Sequence, residues 1–233
     1  MRQLLGKIFS ERLRMFLYTQ ITVFFRTTNR RNYKKAGKYV DLFGPLNLDP
    51  QKVELDSHVR LQPGIRIIAN NGKVVVKKYT AIGAGCVIIP GSHIPTVGIP
   101  QYLSMEHIND KDETIVINED CWIGAGSYLL SHAQIGRGAI VAAGSIVTKH
   151  VPPYAVVAGS PAKIIATRFS VEQIIQHEAV LYPESERLNI GELEDLFREN
   201  YEGKRSIGTS NISEEDMFRL NKAKVSKNIK IYN

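Results

Sequence analysis

Residues 121–150 read CWIGAGSYLLSHAQIGRGAIVAAGSIVTKH. Taken in sixes, the stretch returns an aliphatic residue at Ile123, Leu129, Ile135, Val141 and Val147, usually followed by a small one. That beat matches neither the 3.6-residue period of a helix nor the two-residue period of a flat strand. It reaches back to Ile117. Upstream it runs through Val53, Val59 and Ile65, slips around Asn70–Asn71–Gly72, and resumes at Ile82 and Ile88. A repeat of about six residues makes one flat side of a triangular coil, and about eighteen make a full turn. The aliphatic side chain points inward and stacks on its equivalents above and below, so each turn buries its core only against its neighbours. Gly83, Gly124 and Gly136 follow that residue, as expected of corners with little room for a side chain.

The period therefore predicts a mainly β chain: a left-handed parallel β-helix of hexapeptide repeats, flanked by an N-terminal helical segment and C-terminal helices. The reading divides the chain into residues 1–40, 41–166 and 167–233. Two interruptions stand out. After Ser92-His93 the rhythm stops, and an excursion of about twenty residues, 94–114, leaves the coil; connections that long tend to carry function. At VPPYAVVAGSPAKII (151–165) prolines end the regular repeat. Ser170 then reads as the N-cap of a helix with Glu172 in its first turn, and GELEDLFRENY as a second helix. KRSIGTSNISEED reads as a loop and KAKVSKNIKIYN as a frayed tail.

Composition sets outer limits. With 233 residues and 43% hydrophobic content the chain can bury a substantial core. A net charge of +7 favours anionic partners such as phosphates, nucleic acid or a membrane surface. Much of the excess sits early, at Arg26, Arg30, Arg31, Lys34, Lys35 and Lys38, and late, at Lys222, Lys224, Lys227 and Lys230, where solvated faces are the plain reading. The basic residues lack aromatic interleaving, which argues against nucleic acid. Cys86 and Cys121 form no framework or CxxC unit, so a reduced, cytoplasmic chain is expected, peripheral at the inner membrane face at most. No stretch supplies the roughly 18 uninterrupted apolar residues of a membrane span. The opening MRQLLGKIFSERLRMFLYTQITVFF is broken by charges and lacks the features of a signal peptide. Leu4, Leu5, Ile8, Leu13, Phe16 and Leu17 fall near helical spacing. This amphipathic helix is expected to pack on the body of the protein or to make weak membrane-surface contact.

DCWIGAG followed by IGRGAIVAAGSIVTKHVPPYAVVAGSPAKII resembles the hexapeptide-repeat acetyltransferases, in the branch with maltose, galactoside, capsular-polysaccharide and xenobiotic O-acetyltransferases. The resemblance covers roughly residues 53–166. It implies a homotrimer, acetyl-coenzyme A as donor, a small-molecule or glycan acceptor, active sites between subunits, and no metal. Acetyl transfer to a hydroxyl needs a base, for which histidine suits, and a hydrogen-bond donor for the thioester oxygen as it becomes an oxyanion. No covalent acyl-enzyme is implied.

Six histidines compete. In the family the base lies where the excursion leaves the coil. By frame that is His93, the sixth residue of its hexad; by local context, a histidine shortly before the turn containing Trp122, it is His107. Glu106, Asp110 or Asp112 would orient the imidazole. His58, His132 and His150 read as exposed polar positions, and His177 as packed on a helix or solvated. For the donor, resemblance points to Trp122, Gly124 and Ala125, to Ala143, Gly144 and Ser145, and to Thr148, Lys149, Gly159, Lys163 and Arg168. The small residues would admit a pantetheine arm and the cations would meet phosphates. His150 stands where the family has an acid.

The sequence leaves the acceptor open. An O-acetyltransferase acting on a sugar or glycan is the leading reading, with N-acetylation of an amino or nucleotide sugar, or acetylation of a xenobiotic, as variants. A γ-type carbonic anhydrase would need zinc, a close histidine pair on one coil edge and a third histidine across the interface, whereas no two histidines here are nearer in the chain than His93 and His107, fourteen apart. A non-catalytic scaffold would not bind acetyl-coenzyme A.

Overall fold

The computed structural model describes residues 11–111 and 113–232. Short strands rotate through three sheets of five, seven and four strands, so the chain winds as a three-sided coil. Neighbouring turns pair in parallel, and an antiparallel hairpin of Ala155–Gly159 with Ala162–Thr167 closes the coil.

Strand register defines the inward ladders. Leu55, Val76, Ile117 and Ile135 align on one face. Leu61, Ile82, Ile123, Val141 and Val157 align on the second, and Ile67, Ile88, Leu129 and Val147 on the third. All are buried. The downstream beat is therefore the core ladder, but the upstream one is displaced by two. Val53, Val59 and Ile65 are buried yet align with Val74, Thr80 and Cys86, the inward position two residues earlier. Alternate residues of a strand face the same side, and where both inward positions are aliphatic the sequence alone does not separate them.

Later turns fill that earlier position with small or polar residues, whose buried polar atoms find partners at the corners, as such atoms must. Thr80 Oγ1 donates to the Asn118 carbonyl at 2.7 Å, Ser127 Oγ to Gly124 at 2.8 Å and Ser145 Oγ to Ala142 at 2.6 Å. Cys86 and Cys121 are buried free thiols at the same inward position, on the third and second faces, and burial pushes the Cys121 thiol up to about 12.

The corner glycines leave no room for a side chain, as expected, because successive turns stack closely. At Gly124 a Cβ would lie 2.4 Å from the Ala143 nitrogen of the next turn, so close stacking excludes it. The left-handed backbone of the corner falls two residues later, at Gly126 with φ 69°.

Two further expectations change. The prolines at 152–153 do not end the coil: Val151 bridges to Ile135, and Val156–Val157 pair with Ile140–Val141 as one more turn. The coil also starts early, with Lys35–Ala36 paired to Glu54–Leu55.

Among the described residues there are four α-helices: α1 Glu11–Thr28, α2 Val171–Leu181, α3 Ile190–Asn200 and α4 Glu214–Ser226. Ser170 caps α2 in a reciprocal box with Gln173, and Asn189 does the same for α3 with Glu192. Buried Glu178 ties α2 to the coil, accepting from Tyr154 at 2.9 Å and from Arg137 at 3.3 Å. Helix α4 was not expected, although Ser213 followed by Glu214, Glu215 and Asp216 is a helix start. The tail after it is docked rather than frayed. Lys227 pairs with Asp41 at 3.1 Å, its carbonyl meets His58 Nε2 at 2.8 Å, and the Tyr232 N–H donates to Val180. Helix α1 does not lie on the body; Thr27 is its one buried residue among those described. Residues 4–8 of the expected amphipathic pattern fall outside the described residues.

Candidate functional site

The excursion leaves the coil after Val87–Ile88 and rejoins it at Glu113–Ile117, with a 3₁₀ turn at Gln101–Glu106. Its two ends meet on one carboxylate. Asp110 Oδ2 lies 2.8 Å from His93 Nδ1 and 3.0 Å from His107 Nδ1, and the two rings stack with centroids 5.4 Å apart. Left-handed backbone at His107 (φ 53°) and Asn109 (φ 62°) makes the tight bend that returns Asp110 to its neighbours. The Ile94 N–H donates to Asp110 Oδ1 at 3.0 Å. The Asn71 amide donates to Oδ2 at 2.7 Å, which brings its nitrogen within 2.9 Å of His107 Nδ1. The Asp110 side chain is only 4% exposed, and donors from three chain segments converge on it.

Burial alone would raise the Asp110 carboxyl, but hydrogen bonds from His107, from the Ile94 backbone and from His93 outweigh it and hold the group at about 2. An ionised carboxylate only accepts, so His93 carries its proton on Nδ1 and leaves its Nε2 lone pair available for a base. A folded-state value below that of the unfolded chain makes Asp110 stabilising above about pH 4, with that contribution lost as pH falls towards 2. Thermal melts of wild type and Asp110→Asn across this range are expected to converge at the acid end, and parallel curves would contradict the shift.

The histidine pair borders a cavity of about 330 Å³ lined also by Ile68, Asn71, Pro90, Ser92, Leu130 and Ser131. His93 reaches a second, smaller pocket with Thr96, Gln101 and Ser104. Frame and local context had selected different histidines, and the fold places both at one site. Glu106 is exposed and outside the cluster, and Asp112 falls outside the described residues. Asn71 was missed as a site residue; its signal was the slip in the rhythm. Ile67 and Val76 are nine positions apart rather than six, and Asn71 lies in the surplus. The pair is also closer in space than its separation in sequence implied. His93, His107 and Asp110 each offer a ligand atom within 4.8 Å of the others, a group able to hold a metal ion.

The residues assigned to the donor fall on other corners. Trp122 is 51% exposed on the second face. Gly124–Ala125 and Ala143–Gly144 stack at the corner between the second and third faces, where the Gly144 N–H donates to the Ala125 carbonyl at 2.9 Å. Ala125, Ala143 and Gly144 are exposed; Gly124 and Ser145 are buried. Thr148 and exposed Lys149 follow at the next corner, on the excursion's side of the third face. Gly159 and Lys163 are exposed on the closing hairpin. Arg168 is engaged elsewhere, bonding Asp120 at 2.7 Å and the Gly138 carbonyl at 3.2 Å, with His177 on the same Asp120 at 2.8 Å. Within one chain the small-residue corner and the histidine corner are thus separated by the third face. His132 is exposed and pairs with Glu113, and His58 stacks on Tyr39 at 5.0 Å rather than standing in solvent.

Comparison with known proteins adds the following. Residues 114–149 match the family model for bacterial transferase hexapeptide (six repeats). The chain is 41% identical over 115 residues to a chloramphenicol acetyltransferase of Klebsiella aerogenes, covering 44% of this chain and 55% of that one. It is 35% identical over 116 residues to a probable macrolide acetyltransferase of Lysinibacillus sphaericus, covering 44% of this chain and 64% of the relative. The chain therefore spans little more than half to under two-thirds of these relatives. Among solved structures, a hexapeptide-repeat-containing acetyltransferase from Vibrio cholerae, complexed with acetyl-coenzyme A, shares the fold. Its TM-score is 0.55 at 18% identity, over 69% of this chain and 91% of that one.

Proposed function

We propose that this chain, whose repeat region belongs with the hexapeptide-repeat acetyltransferases, is an acetyl-coenzyme A-dependent acetyltransferase acting on a hydroxyl of a sugar or glycan. The observation that carries the reading is the pair of imidazoles held by one ionised carboxylate beside a cavity. His93 Nε2 takes the proton of the acceptor hydroxyl as its oxygen attacks the thioester carbonyl carbon. The carbon–sulfur bond breaks, and the thiolate leaves with the proton now on the imidazolium. Asp110 keeps the ring oriented and stabilises it while charged. His93 is preferred to His107 because it is the more exposed of the two, 42% against 33%, and faces both pockets.

The coil is read as left-handed, supported by its six-residue period and by the likeness to a hexapeptide-repeat fold. A homotrimer belongs to the proposal. The small-residue corner and the histidine corner are apart in one chain, and a neighbouring copy would bring one against the other. Buried free thiols and a coenzyme A donor fit a cytoplasmic location. A second reading, acetylation of a xenobiotic, draws support from the two relatives named for chloramphenicol and macrolide.

A thiol-release assay with acetyl-coenzyme A over sugars, oligosaccharides, amino sugars, chloramphenicol and a macrolide tests both readings, and the responding acceptor chooses between them. No release with any acceptor, together with no calorimetric binding of acetyl-coenzyme A, would overturn the proposal. Stoichiometric zinc with carbon dioxide hydration would replace it by carbonic anhydrase chemistry.

A further inference from the structure

The +7 charge of the chain is not spread over it. Residues 11–40 hold eight lysines and arginines against one acid, Glu11, whereas residues 41–233 hold twenty against twenty-two acids. That basic segment contains α1, whose C-terminal end meets the body. There the Thr27 carbonyl accepts from the Tyr33 hydroxyl at 2.7 Å, the Arg26 carbonyl accepts from Asn32, and Phe24 and Thr28 crowd Gly44. The helix presents large apolar side chains to solvent: Leu13 is 40% exposed, Met15 54%, Phe16 58% and Phe25 66%. Water around four such groups on one helix is costly, and a chain that keeps them uncovered implies a surface that covers them.

The neighbouring charges identify that surface. Lys34 and Lys35 pair with Glu54 and Asp56, and Arg26 with Asp49. Arg12, Arg30, Arg31 and Lys38 are exposed with no carboxylate partner among the described residues. Apolar groups interleaved with uncompensated cations fit the boundary between anionic headgroups and acyl chains, where rings bury and guanidinium groups meet phosphate. A second copy of the same helix would set its cations against their own kind. No helix among the described residues is long and apolar enough to cross a membrane, so the helix would lie in the interface.

We propose that α1 and the basic residues after it form an anchor to an anionic lipid surface, independent of the histidine site.

Co-sedimentation of the full chain with phosphatidylcholine vesicles, with and without about 30% phosphatidylglycerol, tests this. Partition is expected to be about tenfold or more stronger on the anionic vesicles, and to weaken by about tenfold when salt rises from roughly 0.1 to 0.5 M. The Phe16→Glu/Phe25→Glu variant should lose binding at both salts, and Arg30→Gln/Arg31→Gln should lose the preference for anionic lipid. Equal binding to both vesicles, or none, overturns the proposal. So does a Phe16→Glu/Phe25→Glu variant that changes the oligomer in sedimentation velocity while its vesicle binding is intact, since a second copy would then cover the helix. Acceptor-dependent thiol release on soluble substrates is expected to be the same in all these variants, which keeps failure of the anchor distinct from failure of the catalytic reading.

Discussion

His93→Ala is expected to lower acetyl transfer by about 10²–10⁴-fold, the usual worth of a positioned general base. The loss should fall on kcat, with the KM for acetyl-coenzyme A little changed, because a general base acts on the proton in the transition state and does not hold the donor. His107→Ala should cost less. It removes one of the donors that converge on Asp110 and the ring stacked on His93, but leaves His93 on its carboxylate at 2.8 Å. Asp110→Asn should fall between them, since an amide in that place no longer favours the imidazolium that forms during transfer. Measured as kcat and KM on the responding acceptor, the opposite order for the two histidines would move the base to His107. Loss of neither would remove the cluster from the chemistry altogether.

Periodicity made the fold legible where each turn differs inside and out. From Ile117 onwards the residues two before each ladder position are Ile115, Cys121, Ser127, Ala133, Ala139 and Ser145, mostly small, so the large aliphatic stands out. At Val53–Leu55, Val59–Leu61 and Ile65–Ile67 both inward positions are aliphatic, and the frame read there was the wrong one of two. The rhythm also marked the site by failing. Its long break holds His93, His107 and Asp110, and its short slip holds Asn71, which donates to the same oxygen. What the sequence could not supply is convergence. His93 and Asp110 are seventeen positions apart with no period between them, and only the bend at His107–Asn109 joins them. The docked tail was hidden for the same reason, since Lys227 finds Asp41 at 186 positions' distance.

The largest loss of stability from a single substitution should come from the stretch that reveals the fold. Ile123 is fully buried between Ile82 below and Val141 above. Ile123→Ala removes atoms from the middle of a ladder that cannot collapse around the gap, because the backbone hydrogen bonds of the turns on both sides fix their spacing. The expected cost is about 2–5 kcal/mol, or a melting temperature lower by roughly 5–15 °C for a chain of this size. Gly124→Ala, one position on, adds a methyl group instead of removing several, and should destabilise for the opposite reason. Its Cβ would fall 2.4 Å from the Ala143 nitrogen and 2.7 Å from the Ala143 Cα, both backbone atoms of the next turn. A flexible side chain would move aside, but here the turns themselves must part, at about 1–3 kcal/mol or more. An alanine of equal size at Ala125, which is exposed on the same corner, is already tolerated by the native chain. The contrast separates stacking distance from a general intolerance of side chains at corners. If calorimetry finds Gly124→Ala as stable as wild type while Ile123→Ala melts early, the core ladder holds the coil together and the spacing of its turns yields. If both melt early, closely stacked backbone and filled core are one constraint, and a coil of this kind cannot relax either without the other.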